Sequence, residues 1–118
     1  MAVSKDARQS IQPLAEPAMK IYEGARSLAG AMVTVDGQPL PPRHDLKLLS
    51  KAGFEWTYEG AGPAQLALAL LADHLGDDRR ALALYDGFMR EVVANLDNAW
   101  RLTSADIDAA LGSLHRVG

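Results

Sequence analysis

Residues 66–75 read Leu-Ala-Leu-Ala-Leu-Leu-Ala-Asp-His-Leu, with Gly62-Pro63-Ala64-Gln65 before them and Gly76 after. Projected at 100° per residue, this helix is apolar nearly all round, and only Gln65 and Asp73 interrupt it. Such a helix has no face suited to water and has to be wrapped on most sides. Pro63 suits the first helical position, where its missing N–H is no loss. Gly76 suits the left-handed stop. About 13 residues make a rod of about 20 Å, too short to cross a bilayer. Its alanines keep it thin, so that a sheet and a second helix can approach closely. The fold must therefore be built around this rod.

The material for the wrapping lies on both sides. Upstream, Tyr22–Leu28 and Ala31–Val35 read as two antiparallel strands, with Asp36-Gly37 as a turn. Pro39, Pro41 and Pro42 lack backbone donors, so the next stretch runs extended over the surface rather than inside a sheet. Asp45–Lys51 reads as loop or a single turn. In Gly53–Gly60, Phe54, Trp56 and Tyr58 alternate with Glu55, Thr57 and Glu59. That period of two predicts a strand with its three aromatics facing the core.

Downstream, Asp77 or Asp78 caps a second helix of about five turns. Its apolar half is centred on Tyr85 and Val92 and includes Phe88. Asp86 and Arg90 pair on the other side, where Gly87 also falls. Trp100 sits in a short edge strand. Thr103-Ser104-Ala105-Asp106 resembles a capping box that opens a short last helix carrying Ile107, Ala110, Leu111 and Leu114. The order implies an α+β domain over residues 21–118: a small antiparallel sheet packed against the buried alanine/leucine helix and an amphipathic one. Residues 1–20 form a leader that is flexible or partly helical around Ala7–Leu14. The core is expected to hold Phe54, Trp56, Tyr58, Leu66, Leu70, Leu71, Tyr85, Phe88, Val92 and Trp100.

The chemistry is sparse. The 118 residues include no cysteine, which removes disulfides, thiolate metal sites and thiol catalysis. Met1–Lys20 has no apolar h-region, and no run is long enough to span a membrane, so a cytoplasmic protein is expected. Asp73 and His74 are adjacent on a helix and point about 100° apart, so they do not chelate one metal easily. His74 falls on the buried side as a core or boundary histidine. His44-Asp45 lies in the proline-rich loop, where function often resides. Gly60–Pro63 precedes a helix, where phosphates bind, but Pro63 removes a donor and Glu59 adds negative charge. A tight strand-to-helix turn explains that turn as well. No Gly-x-Ser-x-Gly elbow and no His-Glu-x-x-His motif is present. No catalytic residue, metal or cofactor is expected.

Charge is uneven. The net charge is −3, and the chain after residue 53 is the acidic half. No basic stripe of the kind that binds duplexes is visible, so nucleic acid is not expected. An acidic surface suits a basic protein partner, although a plain solvated surface looks the same. Glu55, Glu59, Asp77, Asp78, Arg43 and His44 are the candidate interaction residues. A second copy of the chain could also cover the apolar helix.

The run Gly53-Phe54-Glu55-Trp56-Thr57-Tyr58-Glu59-Gly60-Ala61-Gly62-Pro63-Ala64-Gln65-Leu66-Ala67, continuing to Asp77, resembles a family of small bacterial proteins of unknown function found on plasmids, prophages and integrative elements. Tyr22-Glu23-Gly24, Val35–Arg43 and Trp100-Arg101-Leu102-Thr103 also resemble its motifs. Thr57, Glu59 and Ala61 depart from it; the family usually shows Gly, Gly and Ser there. The resemblance implies a bacterial or mobile-element origin and no particular activity. Two functions follow as expectations. One is a non-enzymatic interaction or accessory protein, in its sharpest form an inhibitor of a host defence complex that mimics nucleic-acid charge. The other is a small-ligand or nucleotide-handling enzyme using Gly60–Pro63 with His44 and Asp45.

Overall fold

The computed structural model describes residues 19–117, and for residues 115–117 the backbone only. The expected leader helix over Ala7–Leu14 lies outside the described residues. Four strands, β1 (Ile21–Ser27), β2 (Gly30–Val35), β3 (Gln38–Pro39) and β4 (Trp100–Thr103), form one antiparallel sheet in the order β3-β2-β1-β4. Three helices follow the same chain order: α1 (Ala61–Leu75), α2 (Asp78–Glu91) and α3 (Ser104–Val117). The α+β architecture is the one that the order of sequence patterns implies. The last helix is not short: at 14 residues it matches α2.

The hairpin forms where the turn chemistry puts it. Asp36 and Gly37 both take positive φ, at 51° and 85°, and the Asp36 side chain accepts the Ile21 N–H at 2.9 Å. Beyond them Pro39 pairs only at the sheet edge, against Thr34, where its missing donor costs nothing in the ladder. Along β1, Tyr22, Gly24 and Arg26 face inward while Glu23, Ala25 and Ser27 are exposed. The outer face is open to water, as antiparallel sheets allow.

The rod lies in the middle of the molecule. Every residue from Gly62 to Ala72 is buried, in one cluster with Tyr22, Val33, Trp56, Phe88 and Trp100. The helix begins two residues earlier than the sequence implies, so Pro63 occupies the third helical position instead of the first. Its absent N–H still falls among the donors of the first turn that have no helical acceptor. Gly76 ends the helix at φ 63° and donates to Ala72 O at 3.1 Å. Gln65, an interruption in the apolar pattern, is fully buried and completely used. Its Oε1 accepts from Leu49 N and Ser50 N at 2.7 and 3.0 Å, and its Nε2 donates to Pro42 O and Lys47 O at 2.8 and 3.1 Å. One amide thus satisfies four backbone groups and fastens the proline-rich loop to the rod.

The aromatic segment is not a strand. Residues 53–56 run irregularly and residues 57–60 bend. Thr57 takes φ 82°, a left-handed conformation that breaks the two-residue period and that glycine adopts without strain. Trp56 is fully buried and Phe54 is half-buried, but Tyr58 is 51% exposed, which corrects its expected place in the core. The fold holds this bend from the inside. The Arg26 guanidinium stands 4.5 Å from the Trp56 ring centroid. It donates to Glu55 Oε1, Trp56 O and Thr57 Oγ1 at 2.8 to 3.0 Å, and to Asn98 Oδ1. Trp56 meets Trp100 edge to face at 5.7 Å, and Trp100 lies flat against Gly24, where any Cβ would fall 2.3 Å from the ring.

Asp77 caps α2, its Oδ1 accepting from Arg80 N at 3.1 Å. The helix stops at Glu91, a turn short of the five that the pattern suggests, and a 3-10 turn over Val93–Asn95 completes the stretch. Phe88 is buried, and Tyr85 and Val92 are partly buried against the core. Gly87 does not face solvent alone: a Cβ there would sit 3.8 Å from Leu114 of α3, an ordinary contact. The capping box is formed, with Thr103 N donating to Asp106 Oδ2 at 2.9 Å and Asp106 N to Thr103 Oγ1 at 3.1 Å.

Candidate functional site

Two adjoining hollows lie where the C-terminal end of α1 meets α2 and α3. The first is a polar cleft of about 450 Å³ lined by Met19, Lys20, His74, Leu75, Ser104, Ala105 and Asp108. The second is a trough of about 620 Å³ between α2 and α3, lined by Leu75, Arg80, Ala83, Leu84, Asp108, Leu111 and Gly112. Leu75 and Asp108 belong to both, so the two are continuous.

Four elements build the polar end. Lys20, just ahead of β1, and Ser104, first in α3, are stitched together twice: Lys20 N donates to Ser104 Oγ at 2.9 Å and Ser104 N donates to Lys20 O at 3.0 Å. The Lys20 ammonium lies 3.1 Å from Asp73 Oδ2, which also accepts the Tyr22 hydroxyl at 2.7 Å. Burial, reinforced by the Asp73 carboxylate, pushes the Tyr22 phenol far above its ordinary pKa. His74 Nε2 lies 2.6 Å from Asp108 Oδ1; the imidazole is 10% exposed and the carboxylate 70%. The boundary histidine is therefore a clasp between α1 and α3 and forms an open-sided pair with an acid.

The trough is different in kind. Leu75, Leu84 and Leu111 are half-buried, Ala83 is exposed, and among the described residues charge enters only at Arg80 on α2 and Asp108 on α3. It exists because α3 touches α2 with a narrow stripe, and Gly112 and Ala83 place nothing bulky in the gap.

The residues expected to form an interaction surface are mostly engaged with the chain itself. Arg43 donates to Asp45 at 3.0 Å and to Asp78 at 3.1 Å, so the structure brings Arg43 and Asp78 together. These bonds raise the Arg43 pKa, and the bond to Arg43 lowers that of Asp45. Glu55 pairs with Arg26 at 2.8 Å, Asp77 is the α2 cap, and His44 Nε2 lies 3.1 Å from Ser50 O. Glu59 is exposed. Around Gly60–Pro63, a Cβ at Gly62 would meet Glu55 Cβ at 2.8 Å, so the acidic Glu55 side chain already occupies the approach to that turn. Among the described residues no group of three His, Asp or Glu could hold a metal, and no helix is long and apolar enough to cross a membrane.

Sequence reasoning passed over Lys20, Arg80, Ser104 and Asp108. Their partners lie up to 84 positions away, and no local spacing signals such a meeting. Only the Asp73-His74 pair pointed at this corner.

Residues 22–113 match the model of a family described as "Family of unknown function (DUF6166)". The chain belongs to that family. The match runs from the second residue of β1 to Ser113 in α3, so Tyr22, Asp73, His74, Ser104 and Asp108 all lie inside it, and Lys20 stands two residues before it. No curated protein and no solved structure matches the chain.

Proposed function

We propose that this family member is a non-enzymatic interaction protein that receives an apolar segment of a partner protein in the trough between α2 and α3. The observation that carries this reading is the trough itself: an open channel of about 620 Å³ walled by leucine, alanine and glycine, with one basic and one acidic rim residue. A helix or extended segment with apolar anchors fits such a channel. An acid on the partner would face Arg80, and a base would face Asp108. The resemblance of the Gly53–Asp77 run supports a bacterial or mobile-element origin. A net charge of −3 gives modest support to the narrower role of inhibiting a host defence complex through acidic residues. Reversing Glu59 tests that role without touching the fold, whereas Glu55, Asp77 and Asp78 each also hold an internal bond.

The test is selection of displayed peptides on the whole chain, with Leu84→Asp and Leu111→Asp as counter-targets. Selected peptides should carry apolar anchors and lose at least tenfold in affinity on either variant. Peptides that bind wild type and both variants equally would place the function elsewhere.

One observation keeps the enzyme reading alive: His74 and Asp108 form the pair a general base needs, beside an open cleft. If it holds, His74→Gln abolishes turnover of a substrate while leaving peptide affinity in the trough unchanged.

A further inference from the structure

The trough opens where the chain enters the sheet. Met19 is 64% exposed and lines the polar cleft, which runs into the trough through Leu75 and Asp108. The double stitch of Lys20 to Ser104 pins this entry point beside the first turn of α3. The residues immediately before it are Ile11-Gln12-Pro13-Leu14-Ala15-Glu16-Pro17-Ala18. At about 3.3 Å per extended residue, Leu14 can reach roughly 16 Å from Met19 and Ile11 roughly 26 Å. Helix α3, one wall of the trough, has 14 residues and so runs for about 21 Å. The stretch is therefore long enough to follow the whole channel. Pro13 and Pro17 restrict its backbone, which lowers the entropy lost when it docks. Its one charged residue is Glu16, within about 10 Å of Met19. The basic residue of the trough is Arg80, whose guanidinium forms no ion pair among the described residues.

We propose that residues 11–18 dock in the trough of their own chain, with Ile11 and Leu14 against Leu84 and Leu111 and Glu16 at Arg80, and that a partner has to displace them. The proposal rests on the reading of the trough as a docking channel and adds what holds that channel before the partner arrives. Covering the half-buried leucines is favourable by about 25 cal/mol for each Å² of apolar surface removed from water. A tethered segment acts at an effective concentration on the order of millimolar, so a weak contact is enough to hold the channel. An incoming segment then binds with its intrinsic affinity reduced by the fraction of time the channel is free. The outer face of the sheet is a poorer seat for the same residues. The hollow there is lined by Glu23, Ala25, Met32 and Thr34, and its one charge among the described residues has the same sign as Glu16.

The chain has no cysteine, so Gln12→Cys gives the whole chain a single attachment point for a nitroxide. Paramagnetic broadening of amide NMR signals should fall on Leu84, Leu111 and Gly112 and spare Ala25 and Met32 on the outer face of the sheet. Adding Ile11→Asp and Leu14→Asp to the labelled chain should abolish it, and so should a saturating peptide selected for binding in the trough. The Ile11→Asp, Leu14→Asp chain without the label should bind that peptide at least about threefold more tightly than wild type. Broadening as strong on the sheet face as in the trough overturns the proposal, as does broadening that survives the two aspartates. Equal broadening of an isotope-labelled, cysteine-free chain mixed with the nitroxide chain gives the trough to a second copy and also overturns it. Unchanged peptide affinity in the double variant overturns the competition. Peptides that bind while the broadening is absent remove the segment and leave the trough standing. An empty peptide selection with the broadening intact removes the partner, and with it the competition.

Discussion

Helices α1 and α3 differ by one residue in length, 15 against 14, yet one is the driest element in the molecule and the other is among the wettest. Eleven consecutive residues of α1 are buried. In α3, over Ser104–Leu114, only Ser104 and Ile107 are. The cause is written in the side chains. Alternating leucine and alanine make α1 apolar all round and thin enough to be approached from every side. The apolar residues of α3 form one stripe, which a single neighbour can cover. Consequently α3 is held mainly at its start, by the capping box, the double stitch of Ser104 to Lys20 and the His74–Asp108 clasp. Farther along, it leans on α2 through Leu114 against Gly87 and leaves the trough open beside it. Stability and binding surface are thus segregated: the first is spent on α1 and the second is left along α3.

Removing volume from the rod should have the largest effect. Leu70→Ala is expected to cost about 3–5 kcal/mol by thermal or denaturant unfolding, since Leu70 is fully buried. Adding volume at the other end of the core comes next. Gly24→Ala forces a Cβ into the Trp100 ring and should cost about 2–3 kcal/mol, with a change in tryptophan fluorescence. Leu111→Ala, on the open side of α3, should cost only about 1 kcal/mol, because that side chain is half-buried. A loss there as large as at Leu70 would break the comparison.

Two smaller changes sharpen it. Tyr22→Phe removes the hydroxyl bond to Asp73 and should cost about 1 kcal/mol near neutral pH. The folded-state pKa of Tyr22 is raised, so its neutral form contributes stability that is complete below about pH 10, the ordinary phenol value, and is lost as pH rises above it. Urea titrations should show an alkaline loss of stability in wild type that is smaller in Tyr22→Phe. Gly87→Ala should stabilise by about 0.5–1 kcal/mol, because the helix gains alanine and the new methyl meets Leu114 at ordinary distance.

What could be read in advance follows the same division. The rod, its Gly76 stop, the Asp36-Gly37 hairpin and the Thr103–Asp106 box are local, each set by a few neighbouring residues. The aromatic run misleads because alternation is only a strand signal when the backbone stays extended. At Thr57 it turns left-handed, and the forces that hold it there come from Arg26 and from Val93 O, which accepts the Thr57 N–H at 3.2 Å. Neither is adjacent in sequence. Gln65 looked like a flaw in an oily helix because its four partners lie 15 to 23 positions upstream. The cleft is harder still, since Lys20, His74 and Ser104 become neighbours only after the sheet and all three helices are in place.

Amide hydrogen exchange of the whole chain, read residue by residue, addresses the segregation of stability from surface most directly. Amides of Leu68–Ala72 should exchange only through global unfolding. Those of Leu111–Leu114 should exchange faster by orders of magnitude and slow on addition of a peptide selected for binding in the trough, with α1 unaffected. Equal protection of the two helices, or slowing by the peptide confined to α1, would contradict the account.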